Sequence, residues 1–337
     1  MKFQTEVEMP RGCRGLVGHG SPMLTLGSCF ADEVGARLRA DLFDIEVNPF
    51  GPLFNPASIA RAVDILADGV YDPAERTVIR DGRCYSLDFH SRVSAADTCG
   101  LADTVDALLQ RLRRRLAGLD VVMLTLGSAN LYSHRVYGPV ANCHKLPSQD
   151  FTLDDIAPGQ VVALLGQAVG RLRESFNQSL KVIVTVSPVR HGGHSFHADR
   201  LSKARLLLGV DEFVGSTPGA YYFPAYEIVQ DQLRDYRFYA ADMKHPSEVA
   251  VDFVYERFAD TYFSPATAIT AAECRRLTGR LSHRPLVASD DYTASLRQLV
   301  SEFAGHHPSV GNALAGYLLS EMPDRFTDIA AELLNNP

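Results

Sequence analysis

The chain has 337 residues, 46% of them hydrophobic and 22% charged. That balance is too apolar for disorder, and the length can bury a full core in one large domain or in one domain with an appendage. Lys and Arg total 33 against 40 Asp and Glu, a net charge of −7, which lacks the basic footprint of a nucleic-acid binder.

In chain order, short apolar runs alternate with amphipathic segments, the pattern of buried parallel strands joined by helices. "PMLTLG" (22–27) reads as the first strand and "FADEVGARLRADL" (30–42) as the helix after it. A helix runs from Asn55, with Pro56 in its first turn. Residues 77–94 are β-rich, with "RDGR" as a hairpin turn. A long helix follows over 101–118; its "RLRRRL" stretch reads as a solvated basic face. Next come a strand at 120–127, a helix at 158–176 and the clearest buried strand, "LKVIVTVSP" (180–188). A helix around 200–208, a short strand "AYYF", the helix "AYEIVQDQL" and a last core strand "YRFY" (236–239) lead to a closing helix over 247–263. The expected fold is a three-layer α/β unit with a mostly parallel sheet over 1–263. Residues 264–337 form a helical C-terminal extension, with its best helices at 268–281 and 292–303.

No run reaches the about 18 apolar residues of a membrane helix. "LGSC" (26–29) looks like a lipoprotein cleavage box, but Gly18, His19, Gly20 and Pro22 break the apolar core such a signal needs. A cytoplasmic protein with no membrane partner is expected. The six cysteines, Cys13, Cys29, Cys84, Cys99, Cys143 and Cys274, show no C-x-x-C spacing and read as reduced thiols.

Ligands of open α/β sheets meet the carboxyl ends of the strands, so reactive side chains are sought just after the apolar runs. Ser28 follows Gly27 at the end of the first strand and precedes a helix, whose free N–H groups can stabilise an oxyanion; a serine there is also a common N-cap. Asp242 and His245 lie three apart before the closing helix. A hydroxyl nucleophile needs a base within reach and a group that fixes the base's tautomer, and an Asp-x-x-His turn supplies both. "HGGHSFH" spaces His191, His194 and His197 three apart, as zinc ligands could be. Its two glycines and missing carboxylate partner suggest a loop instead, and no metal is expected. No Walker loop or G-x-G-x-x-G follows a strand, so no cofactor is expected.

An early Ser after the first strand and a late D-x-x-H before the last core helix is the chain order of the SGNH/GDSL hydrolases. "LGSCFADEVG" resembles the signature of the GSCFA-domain family, related to the SGNH hydrolase-like proteins. The similarity continues through "NPFGPLFNPASI", "FHS", "TLGSANLY", "ANCHKLP", "TVSPVRH", the "SK" at Ser202 and Lys203, and "YFPAYEIVQDQLRDYRFYAADMKHPS", covering residues 3–263.

The resemblance implies a flavodoxin-like SGNH fold with Ser28 as nucleophile, His245 as base and Asp242 as orienting acid. The usual G-D-S block is G-S-C here, which makes Cys29 a rival nucleophile. For the oxyanion hole, the Ser28 N–H, Gly51 and an Asn are implied; Asn142 is preferred over Asn130. His144, Lys145 and Arg190 are candidate substrate-binding groups, with Arg190 suited to a carboxylate or phosphate. The expected activity is hydrolysis of a small-molecule or glycan ester, the O-acyl carbohydrate substrate following from fold-level analogy alone. Acyl transfer to a glycan from a donor such as acyl-CoA uses the same triad. A non-catalytic carbohydrate- or protein-binding module is the reading from a different class.

Overall fold

A computed structural model describes residues 5–74, 76–190, 195–283 and 290–335. Its centre is a five-stranded parallel sheet of β1 (Met23–Gly27), β2 (Ile45–Val47), β3 (Val121–Leu126), β4 (Lys181–Val186) and β5 (Ala220–Tyr222). The order β5-β4-β3-β1-β2 is the flavodoxin-like arrangement of doubly wound sheets, whose switch point lies between β1 and β3. Register there pairs Met23 with Val121 and Gly27 with Thr125.

Side chains alternate across this sheet. Leu24, Leu26, Val122, Leu124, Val182 and Val184 face one core. That core is covered by α2 (Pro56–Asp68), α3 (Thr98–Arg115), α4 (Pro158–Ser175) and α5 (Phe196–Ser216). Met23, Ile45, Val121, Met123 and Ile183 face the other, covered by α1 (Cys29–Ala40) and α6 (Glu248–Tyr262). The three layers therefore follow from strands that are apolar on both faces.

Three differences from the expected elements have physical causes. Tyr236–Phe238 is a 3₁₀ turn and not a strand, because Asp235 accepts from the Arg237 N–H and curls the chain. β2 is only three residues long, too short to register as an apolar run. A small antiparallel sheet of Asn130–His134, Gly138–Val140 and Phe151–Asp155 stands where the sequence shows no clean alternation. The basic stretch in α3 is exposed at Arg111, Arg113 and Arg114, as expected, and it also makes contacts: Arg111 and Arg115 pair with Glu46, and Arg113 donates to the carbonyls of Leu66 and Ala67.

The β-rich segment forms as expected, Thr77–Arg80 against Arg83–Ser86, with Asp81 and Gly82 both at positive φ as a two-residue turn of the I′ kind requires. Beyond α6, the described residues form α7 (Pro265–Ser282), α8 (Asp290–His306), α9 (Gly311–Glu321) and α10 (Pro323–Asn335), which share a core of their own. They meet the sheet domain at Asp41, which is wholly buried. Its carboxylate accepts from the Arg275 guanidinium at 2.8 and 2.5 Å and from the Tyr255 hydroxyl at 2.7 Å.

Candidate active site

At the carboxyl end of β1 the chain passes from strand to helix within two residues. Gly27 has a φ of +154°, and a Cβ there would overlap the Thr125 carbonyl of β3. Glycine lets the two strand ends close up where the turn leaves the sheet. Asn48, just beyond β2, clamps this turn. It is buried, with φ +40°; its Oδ1 accepts from the Gly27 N–H at 2.8 Å, and its Nδ2 donates to the Ser28 carbonyl at 3.3 Å and Asp32 Oδ1 at 2.7 Å. Sequence reasoning assigned Asn48 no role, although it opens the "NPFG" motif and Asn tolerates the left-handed region.

Opposite the turn lies the bracket 239–247. The Ala240 N–H donates to the His245 carbonyl, the Ser247 N–H donates to the Phe238 carbonyl, and Tyr239 bridges Pro246. Within it Asp242 Oδ1 accepts from the N–H groups of Lys244 (2.9 Å) and His245 (3.0 Å), while Oδ2 accepts from His245 Nδ1 at 2.6 Å. These bonds hold the Asp242 carboxyl well below the usual carboxylate range, the His245 N–H first among them and the imidazole second. With Nδ1–H committed to Asp242, the network assigns His245 Nε2 as the acceptor.

Nε2 faces Cys29 Sγ at 3.4 Å. Ser28, the expected nucleophile, is not brought to His245. It is the N-cap of α1, buried to 1% exposure, and its Oγ accepts from the Phe30 N–H. The reason is helix phase: Ser28 is extended (φ −68°, ψ 175°) and folds its side chain over the helix start, whereas Cys29 is the first helical residue and its sulfur meets the imidazole. Burial raises the Cys29 thiol above its ordinary value, and Asp32 adds to this, against the N–H groups of Cys29 and Phe30, which favour the thiolate.

The other expected residues divide. The Ser28 N–H donates to the Thr125 carbonyl and the Gly51 N–H to the Asn48 carbonyl, so both are committed. Asn130 is also committed, its Nδ2 to Asp155 and its Oδ1 to the Ser128 hydroxyl. Asn142 accepts from the His144 N–H through Oδ1, and its amide nitrogen has no partner among the described residues. His144 is buried: Nε2 donates to the Ser86 carbonyl at 2.7 Å and Nδ1 accepts from the Ser91 hydroxyl at 3.1 Å. Both ring nitrogens are thus used structurally, and burial lowers its pKa. Lys145 is exposed in the left-handed region on the same loop. The Arg190 N–H donates to the Lys244 carbonyl at 3.1 Å, which ties it to the bracket. His191 and His194 lie outside the described residues, and His197 is exposed at the start of α5. No group of three or more His, Cys, Asp or Glu with metal-ligand geometry occurs among the described residues.

Lys203, from the "SK" motif, is fully buried. Its Nζ donates to the carbonyls of Gly127 (2.6 Å) and Ser187 (2.7 Å), joining the carboxyl ends of β3 and β4, and burial pulls its pKa down to about 8.

A family model described as "GSCFA family" matches residues 22–258, from the first residue before β1 into α6. The chain belongs to the GSCFA family. The turn at Gly27, Ser28 and Cys29 is thus the family's namesake segment, and the match also takes in the Asp242–His245 bracket. A search of curated proteins finds none that matches this chain. No helix among the described residues is long and apolar enough to cross a membrane.

Proposed function

We propose that this GSCFA protein is an acyl-ester hydrolase with Cys29 as nucleophile, His245 as general base and Asp242 as its orienting acid. The observation that carries this reading is the continuous contact from Asp242 through His245 to Cys29, 2.6 Å and then 3.4 Å. The strand-to-helix turn at the switch point and the late Asp-x-x-His support it, because ligands of such sheets gather at that crevice.

In the reaction, Cys29 Sγ attacks the acyl carbonyl as its proton passes to His245 Nε2. The tetrahedral intermediate collapses, the C–O bond breaks, and His245 returns the proton to the leaving alcohol. Water then attacks the thioester, giving its proton to His245, and the acid leaves as the thiol is restored. Asp242 stabilises the imidazolium in both halves. The Cys29 N–H, in the first turn of α1 where helical N–H groups lack helical partners, is an oxyanion donor, and Asn142 supplies an amide. The side chains of His245 and Asp242 are nearly half exposed, which gives water access and favours hydrolysis over transfer. The carbohydrate ester remains the substrate class suggested by fold-level analogy.

The test is to mix the protein with p-nitrophenyl acetate, quench in acid and locate the acetyl group by mass spectrometry. Acetyl on Cys29, lost in His245→Ala, is the expected result. Acetyl on Ser28 overturns the nucleophile, and neither adduct nor turnover overturns the hydrolase.

A further inference from the structure

Beside the His245 bracket lies a cavity of about 300 Å³ that the proposed reaction leaves unused. That volume is at the small end of ligand sites. Three guanidinium groups line it, from Arg190 after β4, Arg200 on α5 and Arg234 after Leu233. Among the described residues none of the three has a carboxylate partner. Asp231 and Asp235 also line the cavity, but Asp235 is occupied by the Arg237 N–H and guanidinium, so positive charge prevails.

The donors are held in place. Arg200 is fixed by the Tyr226 hydroxyl and by Gln230 Oε1, at 2.8 Å from the latter. Gln230 turns its Nε2 to the Tyr239 oxygen at 2.6 Å, so the Tyr239 hydroxyl proton is left to donate elsewhere. The Arg190 guanidinium lies over the Tyr239 ring, 4.2 Å from its centroid. Arg234 is in the left-handed region at the end of a π-helical turn, Ile228–Leu233; such turns occur often at functional sites. Arginine forks and a phenolic donor are the chemistry that recognises phosphate oxygens.

The cavity and the reactive centre share one wall. Tyr239 bridges Pro246, and the Arg190 N–H is bonded to the carbonyl of Lys244, the residue before His245.

We propose that this cavity binds a phosphate group of the substrate, so that the ester or thioester cleaved at Cys29 belongs to a phosphorylated compound. This rests on the hydrolase reading for the bond that is cleaved, but the phosphate site is tested without turnover.

The experiment is isothermal titration of the full chain with pyrophosphate, ADP and glucose 1-phosphate. Saturable binding is expected. In Arg200→Gln/Arg234→Gln the Kd should rise about tenfold or more, since each lost bond is charge-assisted. Arg200→Lys/Arg234→Lys, which keeps the charge, should recover part of the affinity, a result that a collapsed cavity would not give. Tighter ADP than glucose 1-phosphate assigns a nucleotide-bearing acyl compound as the hydrolysed substrate, and the reverse order assigns an acylated sugar phosphate. No binding of any of the three, or binding unchanged in the Gln pair, overturns the proposal. Phosphate binding without acetylation of Cys29 overturns the link to the ester while leaving the anion site, so the two failures are distinct.

Discussion

Asp242 holds His245 at two points, accepting from its main-chain N–H at 3.0 Å and from its ring Nδ1 at 2.6 Å. Because the folded carboxyl is held below the ordinary range, this grip is complete above pH about 4 and is lost only as the pH falls further. A low-field Nδ1 proton resonance should therefore persist on acidification to pH about 5 and be absent from Asp242→Asn. The same variant should lose about 10²–10⁴-fold in kcat through a misassigned tautomer. Loss of the resonance at pH 6 in the wild type would contradict the assignment.

On the proposed reading, Ser28 and Cys29 are adjacent in sequence and separable in function. Ser28→Ala removes an N-cap, which costs about 1 kcal/mol and lowers Tm by about 1–2 °C for a chain of this size, while kcat changes less than about tenfold. Cys29→Ala should abolish the covalent step, a loss of about 10³-fold or more. Steady-state kinetics and thermal melts on the pair decide it: equal losses of rate would refute the division.

The thiol itself should report its burial. In His245→Ala the base is gone, and burial followed by Asp32 keeps the folded Cys29 pKa raised. Iodoacetamide alkylation should then rise only at pH above about 8.5, the ordinary thiol value, and at each pH more slowly than in the wild type, where His245 can take the proton. Adding Asp32→Asn should move the curve to lower pH. A midpoint in His245→Ala at or below the ordinary value would count against this environment.

Gly27→Ala tests the close approach of β1 and β3. The added Cβ meets backbone, the Thr125 carbonyl, and not a side chain that can swing away. A loss of about 3 kcal/mol or more is expected in urea unfolding; one below about 1 kcal/mol would mean that the strand ends separate freely.

The central strands could be read from the sequence because they are buried on both faces and so appear as unbroken apolar runs. β2 lacked such a run, and "YRFY" carried strand-like aromatics whose fate was decided by the Asp235 side chain. At the site, motif order singled out the His245 bracket and the Gly-Ser-Cys turn. It could not tell which of two neighbouring side chains faces the imidazole, since one residue of helix phase decides that. Arg200 and Arg234 went unnoticed because their convergence depends on α5 and the π turn folding towards each other, which no local spacing encodes.

One helix links matters that look remote. α1 begins at Cys29 and ends at Asp41, its C-cap, a rigid rod of about 18 Å. Its first residue carries the sulfur, and its last cap is anchored by Arg275 of α7. The C-terminal helices are therefore tied, through Asp41, to the helix that carries the proposed nucleophile. Arg275→Ala should cost about 2–3 kcal/mol, less than a wholly enclosed pair because Arg275 is partly exposed. The same change should alter the reactivity of Cys29 at the other end, measurable as its alkylation rate. An altered rate would show that residues beyond the family match help set the aim of its namesake cysteine; an unchanged rate would refute it.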